Sequence, residues 1–447
     1  MIDTSDERSE RIREIARAVA REGGRALLVG GCVRDRVMGR SVRDVDVEVL
    51  GLSLDAFQAL LGSFGRTFRM GRSYTVLRLR GLDVDFTVDD RFGCDFALAS
   101  RRRDLTMNSM AIDPLTGEIL DPHGGRNDIA ARRLRATDPA TFGSDPLRTL
   151  RVARFAACLE MTPDDALCAL CSEPSLADAA AERVLAELSR MLVEAPRPAD
   201  GLAVLERCGQ LDAFPELAAL VGVAQDPDWH PEGDVWTHTR LVVDAAAQLR
   251  AGDADDVALM LGALCHDLGK PSTSESDGMR VRSLGHDREG IAPTAALLER
   301  LRAPRQLIVR VCALVEHHLA PALFVKNDAG PRGYRRLARK LDQADVSLDL
   351  LERVARADHL GRTTRDAVAG VFPAGDVFLE RATALAVREH ALPEAVTGRD
   401  VIARGVAPGP AVGRVLRACR AIQDERGETD GALILDEVLG ASSNEPQ

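Results

Sequence analysis

Residues 27–51 read LLVGGCVRDRVMGRSVRDVDVEVLG. An apolar run ends in Gly30-Gly31, an Arg-Asp pair follows, and a second apolar run carries Asp44 and Asp46 on either side of one valine. Alternation at period two predicts a strand there, because residues i and i+2 of a strand point the same way. Asp44 and Asp46 are expected to project together from one face while Val45 and Val47 fill the other. Two carboxylates held side by side repel unless a positive charge lies between them. A divalent cation meets that need, and magnesium prefers oxygen ligands together with phosphate and water. Asp85, in the later apolar run LDVDF, is the expected third carboxylate, ahead of its neighbour Asp83. Gly30-Gly31 ends a strand, which lets main-chain N–H groups at Gly31 approach a phosphate, and Arg34 follows at the start of a helix.

The chain around this stretch has the balance of a globular protein. Its 447 residues are 45% hydrophobic and 28% charged, enough for several domains with real cores. A net charge of -11 argues against a nucleic-acid binder that works by bulk charge, but leaves room for a basic groove. Lysine occurs only at Lys270, Lys326 and Lys340, so the positions of the arginines inform more than their number. No apolar run approaches the length of a membrane span and the N-terminal stretch has no apolar signal region, so a cytoplasmic protein without a membrane partner is expected. Cys168 and Cys171 form an isolated CxxC with no second pair, which reads as buried free thiols rather than a zinc site.

Strand-like runs cluster between Ala26 and about Asp90: RALLVGG, VDVEVLG, YTVLRLRG and LDVDFTV. Helical periodicity begins near Ser100 and continues to the C-terminus. The predicted fold class is therefore α+β, a small α/β head with a mixed sheet followed by an all-α neck and body. Composition shifts at DPATFGSDP, AQDPDWHPEGD and PEAVTGRD suggest segments 1–137, 138–225, 226–390 and 391–447.

The pattern GGxVRDxxxGxxxxDxD resembles the first motif of the class II polynucleotide nucleotidyltransferases, a polymerase β-like family that holds the tRNA CCA-adding enzymes and the poly(A) polymerases. The resemblance implies that Asp44 and Asp46 hold Mg2+, with Asp85 completing the catalytic set, while the tRNA 3′-hydroxyl attacks the α-phosphate of CTP or ATP in line. RRRDLTMNSMAID (101–113) resembles the second motif and implies that Arg103, Asp104 and Asn108 lie near the ribose and phosphates. The spacing of Asp104 and Asn108 predicts one helical face. DPHGGRNDIAARRLRAT (121–137) resembles the third motif, where a structural and a functional role are both open. SDPLRTLRVARFAA (144–157) resembles the fourth. It implies that Asp145 and Arg148 hydrogen-bond the Watson–Crick edge of the incoming base, with Arg151 and Arg154 directed to triphosphate or primer. Asp145 is the expected N-cap, with Pro146 the first helical residue. Ser144 stands where the family has glutamate, and FTVDDRFGCDFALAS after Asp85 is short for the family. Full CCA addition, CC addition and A addition therefore stay open, with a poly(A) polymerase of the same class as the further alternative.

A second constellation lies downstream. Six histidines fall between His238 and His359, and ALMLGALCHDLGKPST sets His266-Asp267 at the end of an apolar helix. Imidazole and carboxylate together suit a divalent transition metal, or Mg/Mn. The pattern resembles the HD-superfamily metal phosphohydrolases. It implies His238, His266, Asp267 and Asp358 as metal ligands, His286 and His317 in support, and His359 behind them. The implied activities are a phosphatase and a 2′,3′-cyclic phosphodiesterase. The implied partners are the tRNA 3′ end, CTP and ATP, and the expected state is a monomer or homodimer.

Overall fold

The computed structural model describes residues 7–42, 44–70, 75–278 and 280–442. The chain divides into two units. One runs to Ala179 and includes Val204–Gln210; the other comprises Ala180–Ala203 and the chain from Leu211 onward.

The first unit is built on a seven-stranded sheet. Its strands are β1 (Arg25–Val29), β2 (Asp46–Leu50), β3 (Thr67–Met70), β4 (Val76–Leu79), β5 (Leu82–Asp89), β6 (Ala111–Ile112) and β7 (Ile119–Leu120). Their order is β3-β4-β5-β2-β1-β6-β7. All neighbours run antiparallel except β2 and β5, so the sheet is mixed. Between β2 and β5 the chain passes through the helix Leu54–Gly62 and the β3–β4 hairpin, which brings β5 back parallel to β2. Ser53 starts that helix by accepting a 3.3 Å hydrogen bond from the Ala56 N–H. Alternation sorts the strand residues. Val47, Val49, Val84 and Phe86 pack with Ile15 and Val19 of the helix Glu7–Arg21 and with Phe57 and Leu61. On the opposite face Leu27, Val29 and Leu50 pack on Phe96 and Ala99 of the short helix Phe96–Ser100. That face also carries the carboxylates.

Several expectations need correction. Asp44 is not on the strand: β2 begins at Asp46, and Asp44 is an exposed residue of the approach to it. The chain after Ser100 is not wholly helical. It adds β6 and β7, a parallel pair Arg133–Leu134 with Thr162–Pro163, and the hairpin Ser274–Ser276 with Val281–Ser283. Runs of two or three residues are too short to carry a period.

The second unit is helical apart from that hairpin. At its centre is Asp256–Cys265, whose residues Ala258 to Cys265 are all buried. Around it stand Ala181–Glu194, Val235–Gln248, Arg305–His317 and Leu348–Leu360. Three further helices, Gly398–Ala403, Pro410–Arg426 and Gly431–Ser442, share a small core of Val396, Val401, Cys419, Ile434 and Leu435. One helical stretch, Arg305–Lys326, has at 22 residues the length and apolarity of a membrane span, where the sequence led us to expect no such run. It carries Arg310, Glu316 and two histidines, and it turns Val311, Leu314, Val315 and His318 into the unit. Val309 and Leu323 on the same stretch are exposed.

Candidate active sites

In the first unit Asp46 opens β2 and stands directly opposite Asp85 of β5. The Val45 carbonyl accepts a 3.1 Å hydrogen bond from the Asp85 N–H and fixes that register. Burial, and then the charge of Asp85, push the Asp46 carboxyl above its ordinary range. Arg78 pairs with Asp85 from the neighbouring strand β4. Gly30, at φ 73°, caps the helix Gly31–Val37. A Cβ there would stand 3.5 Å from Arg103 Nη1 and 3.6 Å from Asp46 Oδ2, so the missing side chain leaves main chain bare beside a guanidinium and a carboxylate. Glu48, two residues along β2 and buried, pairs with Arg103 Nη2 at 2.8 Å and with Arg102. Asp89 holds the other side of Arg102 at 2.7 Å.

The second and fourth motifs meet in one chain of hydrogen bonds. Arg34 donates to Asp35 Oδ1 at 2.8 Å and to Asn108 Oδ1 at 3.0 Å. Asn108 donates to Asp104 Oδ1 at 2.9 Å, and Arg151 Nε donates to Asp104 Oδ2 at 2.8 Å. Burial opposes charge on Asp104, yet Arg151 and Asn108 outweigh it and hold the carboxyl below its usual value. The guanidinium groups of Arg34, Arg151 and Arg154 lie 5.1, 5.3 and 4.3 Å from the ring of Phe155. Asp104 and Asn108 do meet, but not on the α-helix that their spacing predicts: Thr106–Asn108 is a single 3-10 turn. Asp145 Oδ1 accepts a 3.1 Å hydrogen bond from the Leu147 N–H. The helix runs Leu147–Leu159, with Pro146 in the cap position expected for Asp145. Arg148 donates to the carbonyls of Thr141 (2.8 Å) and Arg102, and Ser144 is exposed.

The third motif is a support. Asp128 is buried and accepts from Thr106 Oγ1 at 2.6 Å, Arg133 Nε at 2.9 Å and Arg135 Nε at 3.0 Å. A Cβ on Gly125 would overlap the Thr106 carbonyl. This motif thus clamps the turn that presents Asn108.

In the second unit, His238 lies on Val235–Gln248, His266-Asp267 follow Asp256–Cys265, and Asp358 lies on Leu348–Leu360. The structure brings all four together. His238 Nε2 is 3.1 Å from Asp358 Oδ1, and His266 Nε2 is 3.1 Å from Asp267 Oδ2. His286 joins them, with Nε2 3.4 Å from Asp267 Oδ1. His317 does not: it is half-buried, and its Nε2 lies 3.7 Å from Glu316. Its place is taken by His318, whose Nε2 is 3.3 Å from His286 Nε2. The residue could have been found from helix periodicity, since 318 continues the buried positions 311, 314 and 315 at offsets of seven, four and three. His359 turns away to the Val371 carbonyl (3.0 Å) and stacks on Phe372. Sequence reasoning also missed Glu232, 2.9 Å from His230 Nδ1 and 2.7 Å from His238 Nδ1, and Lys270, 2.7 Å from Asp267 Oδ2. Arg362, 3.3 Å from Asp358 Oδ2, was missed as well.

The tautomers of three rings follow from their partners. The Nδ1 atoms of His266, His286 and His318 face the carbonyl oxygens of Ala263, Ser283 and Val315 at 2.8, 2.7 and 2.7 Å. A carbonyl only accepts, so each Nδ1 carries a hydrogen and each ring turns its Nε2 inward. The Nε2 atoms of His286 and His318 face each other. His266 Nε2 is buried without a hydrogen-bond partner among the described residues. Burial, then His286 and His266, push His318 down to about 4, so that ring does not supply the missing positive charge near neutrality. Against the cost of burial, His266 and Lys270 hold Asp267 well below the usual carboxylate range. This donor set fits divalent metal. His238, His266 and Asp267 form one cluster, with Asp358 Oδ1 3.1 Å from His238 Nε2; Asp267, His286 and His318 form another, with Asp267 common to both. Gly269 makes the arrangement possible, since a Cβ there would overlap the His286 carbonyl.

Comparison with known proteins identifies two domain families. Residues 26–135 match the family model of the poly A polymerase head domain, and residues 235–360 match that of the HD domain. The multifunctional CCA protein of Xanthomonas campestris pv. campestris is 35% identical over 430 residues, covering 88% of this chain and 96% of the relative. That of Halorhodospira halophila is 36% identical over 427 residues, covering 88% and 95%. Among solved structures, a CCA-adding enzyme in complex with CTP matches with a TM-score of 0.66 at 18% identity, covering 99% of this chain and 97% of that one. The Thermotoga maritima CCA-adding enzyme complexed with tRNA matches with a TM-score of 0.64 at 18% identity, covering 99% and 97%. At these identities the two structures bear on the fold.

Proposed function

This chain belongs to the family of multifunctional CCA proteins, and on that premise we propose that its head adds C and A residues to the 3′ end of tRNA from CTP and ATP. The supporting observation is the opposition of Asp46 and Asp85 beside the bare main chain of Gly30. Asp46, with Asp85 and the nearby Asp44, would hold Mg2+. When bound, that ion neutralises the triphosphate and makes the primer 3′-hydroxyl a better nucleophile. The chain's own groups do the positioning. The Gly30-Gly31 turn admits phosphate, and Arg103, braced by Glu48, faces the place the phosphates would take. Asn108, held by Arg34 and Asp104, reaches the ribose. Asp145 and Arg148 read the base, for which Arg148 would have to exchange the carbonyls of Thr141 and Arg102 for the nucleotide.

The second unit, with segment 226–390 as its catalytic part, removes terminal phosphates and opens 2′,3′-cyclic phosphates. His238, His266, Asp267 and Asp358 would hold one divalent ion, and Asp267, His286 and His318 a second. Metal there would supply a nucleophilic water and bind a phosphate oxygen. Lys270 and Arg362 add positive charge at the same cavity. The two activities fit one chain, because the transferase needs a free 3′-hydroxyl.

A CC-adding enzyme is the second reading, favoured by Ser144 in the family's glutamate position and by the short segment after Asp85. Purified protein is incubated with tRNA lacking its CCA end, with CTP, ATP or both, and the 3′ ends are sequenced. Ends completed to CCA support the first reading; ends that stop at CC with ATP present support the second. No incorporation of either nucleotide sinks both.

A further inference from the structure

The cavity at the histidine–aspartate centre, about 240 Å³, has one wall that metal binding does not explain. Trp229 lines it and is 65% exposed. The chain's other tryptophan, Trp236, is buried. A large exposed aromatic gives up its burial energy, and here it does so at the mouth of a polar cavity. Its loop is tied down on both sides. The Trp229 N–H donates to the Asp226 carbonyl at 3.1 Å, and Gln225 Oε1 accepts from Lys270 Nζ at 2.6 Å. The next residue, His230, faces Glu232, which faces His238 in turn and accepts from the Thr363 N–H at 3.1 Å. The main chain that carries the indole is therefore tied to the metal-side residues. Lys270 and Arg362 line the same cavity. Two cations suit a phosphate, and an aromatic face beside them suits a planar group on the same molecule.

We infer that Trp229 stacks the base of the nucleotide whose phosphate enters this cavity. Trp229 would then be the residue that sets the preference for a nucleotide over a small alkyl phosphate. The inference rests on the phosphohydrolase reading above. Stacking tolerates any base, because every base has a π face, which suits the trimming of ends of any sequence.

The test uses the full-length protein with a divalent metal. Adenosine 3′-monophosphate should quench tryptophan fluorescence saturably in the wild type and not in Trp229→Phe, while ribose 5-phosphate quenches neither. Trp229→Ala should raise KM for adenosine 3′-monophosphate about tenfold, the loss of one stacked base. It should leave kcat, and KM for glycerol 2-phosphate, unchanged, and Trp229→Phe should recover most of the loss. A larger effect on an oligoribonucleotide ending in 3′-phosphate assigns the site to RNA ends; an equal effect assigns it to free nucleotides as well. Absence of quenching, or the same KM rise for glycerol 2-phosphate, overturns the inference. Quenching without phosphate release from any compound supports the stacking and overturns the hydrolase reading instead.

Discussion

Asp46 and Asp85 stand opposite each other because β2 and β5 are the one parallel pair in the seven-stranded sheet. Removing either carboxylate should stop nucleotide addition without touching the second unit. Asp46→Asn and Asp85→Asn are each expected to lower incorporation of labelled CTP and ATP by about 1000-fold, the scale of several kcal/mol of lost charge stabilisation. Phosphate release should be unchanged. Wild-type incorporation by Asp46→Asn would remove this carboxylate pair from the chemistry.

The common position of Asp267 makes a countable prediction. Protein loaded with manganese should carry two ions in the histidine–aspartate centre. His318→Ala should carry one there, and Asp267→Asn none, by elemental mass spectrometry after gel filtration. Both variants should keep nucleotide addition. One ion in the wild-type centre would refute the shared arrangement.

Asp104 ties the head's hydrogen-bond chain to Arg151, and its folded pKa is depressed. Its contribution to stability is therefore present above the unfolded value of 3.8 and is lost as pH falls through the lower folded value. Asp104→Asn should cost about 2–3 kcal/mol near neutral pH, since it leaves Arg151 and Asn108 with a weaker partner. Urea unfolding should show that gap narrowing as pH drops below 4 or so. A gap that stays constant down to pH 3 would mean that the charge of Asp104 contributes nothing.

Gly269 packs against the main chain of His286 and Gly290, neither of which can yield as a side chain would. Gly269→Ala should destabilise the protein by about 1–3 kcal/mol. It should also weaken metal binding, because His286 is displaced. Full metal occupancy with an unchanged melting temperature would contradict the close approach.

Much of the head was legible because its carboxylates break an otherwise apolar alternation. Asp46 and Asp85 are conspicuous among valines and phenylalanine, and their faces follow from period two. Asp44 was misplaced because alternation does not mark where a strand begins. The 3-10 turn at Thr106–Asn108 was read as a helix because a four-residue spacing does not distinguish the two. β3 was missed because only Phe68 and Met70 in it are strongly apolar, and both are exposed. At the histidine–aspartate centre, adjacent His317 and His318 left a choice that helix phase decides and proximity in sequence does not. Glu232 and Arg362 carried no period and no motif, since their roles depend on folding alone. Lys270 had a signal of its own, as one of three lysines in a chain that otherwise uses arginine.

Three of the four imidazoles at that centre are oriented by main-chain carbonyls, at Ala263, Ser283 and Val315. No amino-acid replacement deletes a main-chain acceptor. The nitrogen each ring offers is thus inherited with the path of the backbone and not with any neighbouring side chain. While the backbone keeps its path at these three points, the inward-facing atom remains Nε2 throughout.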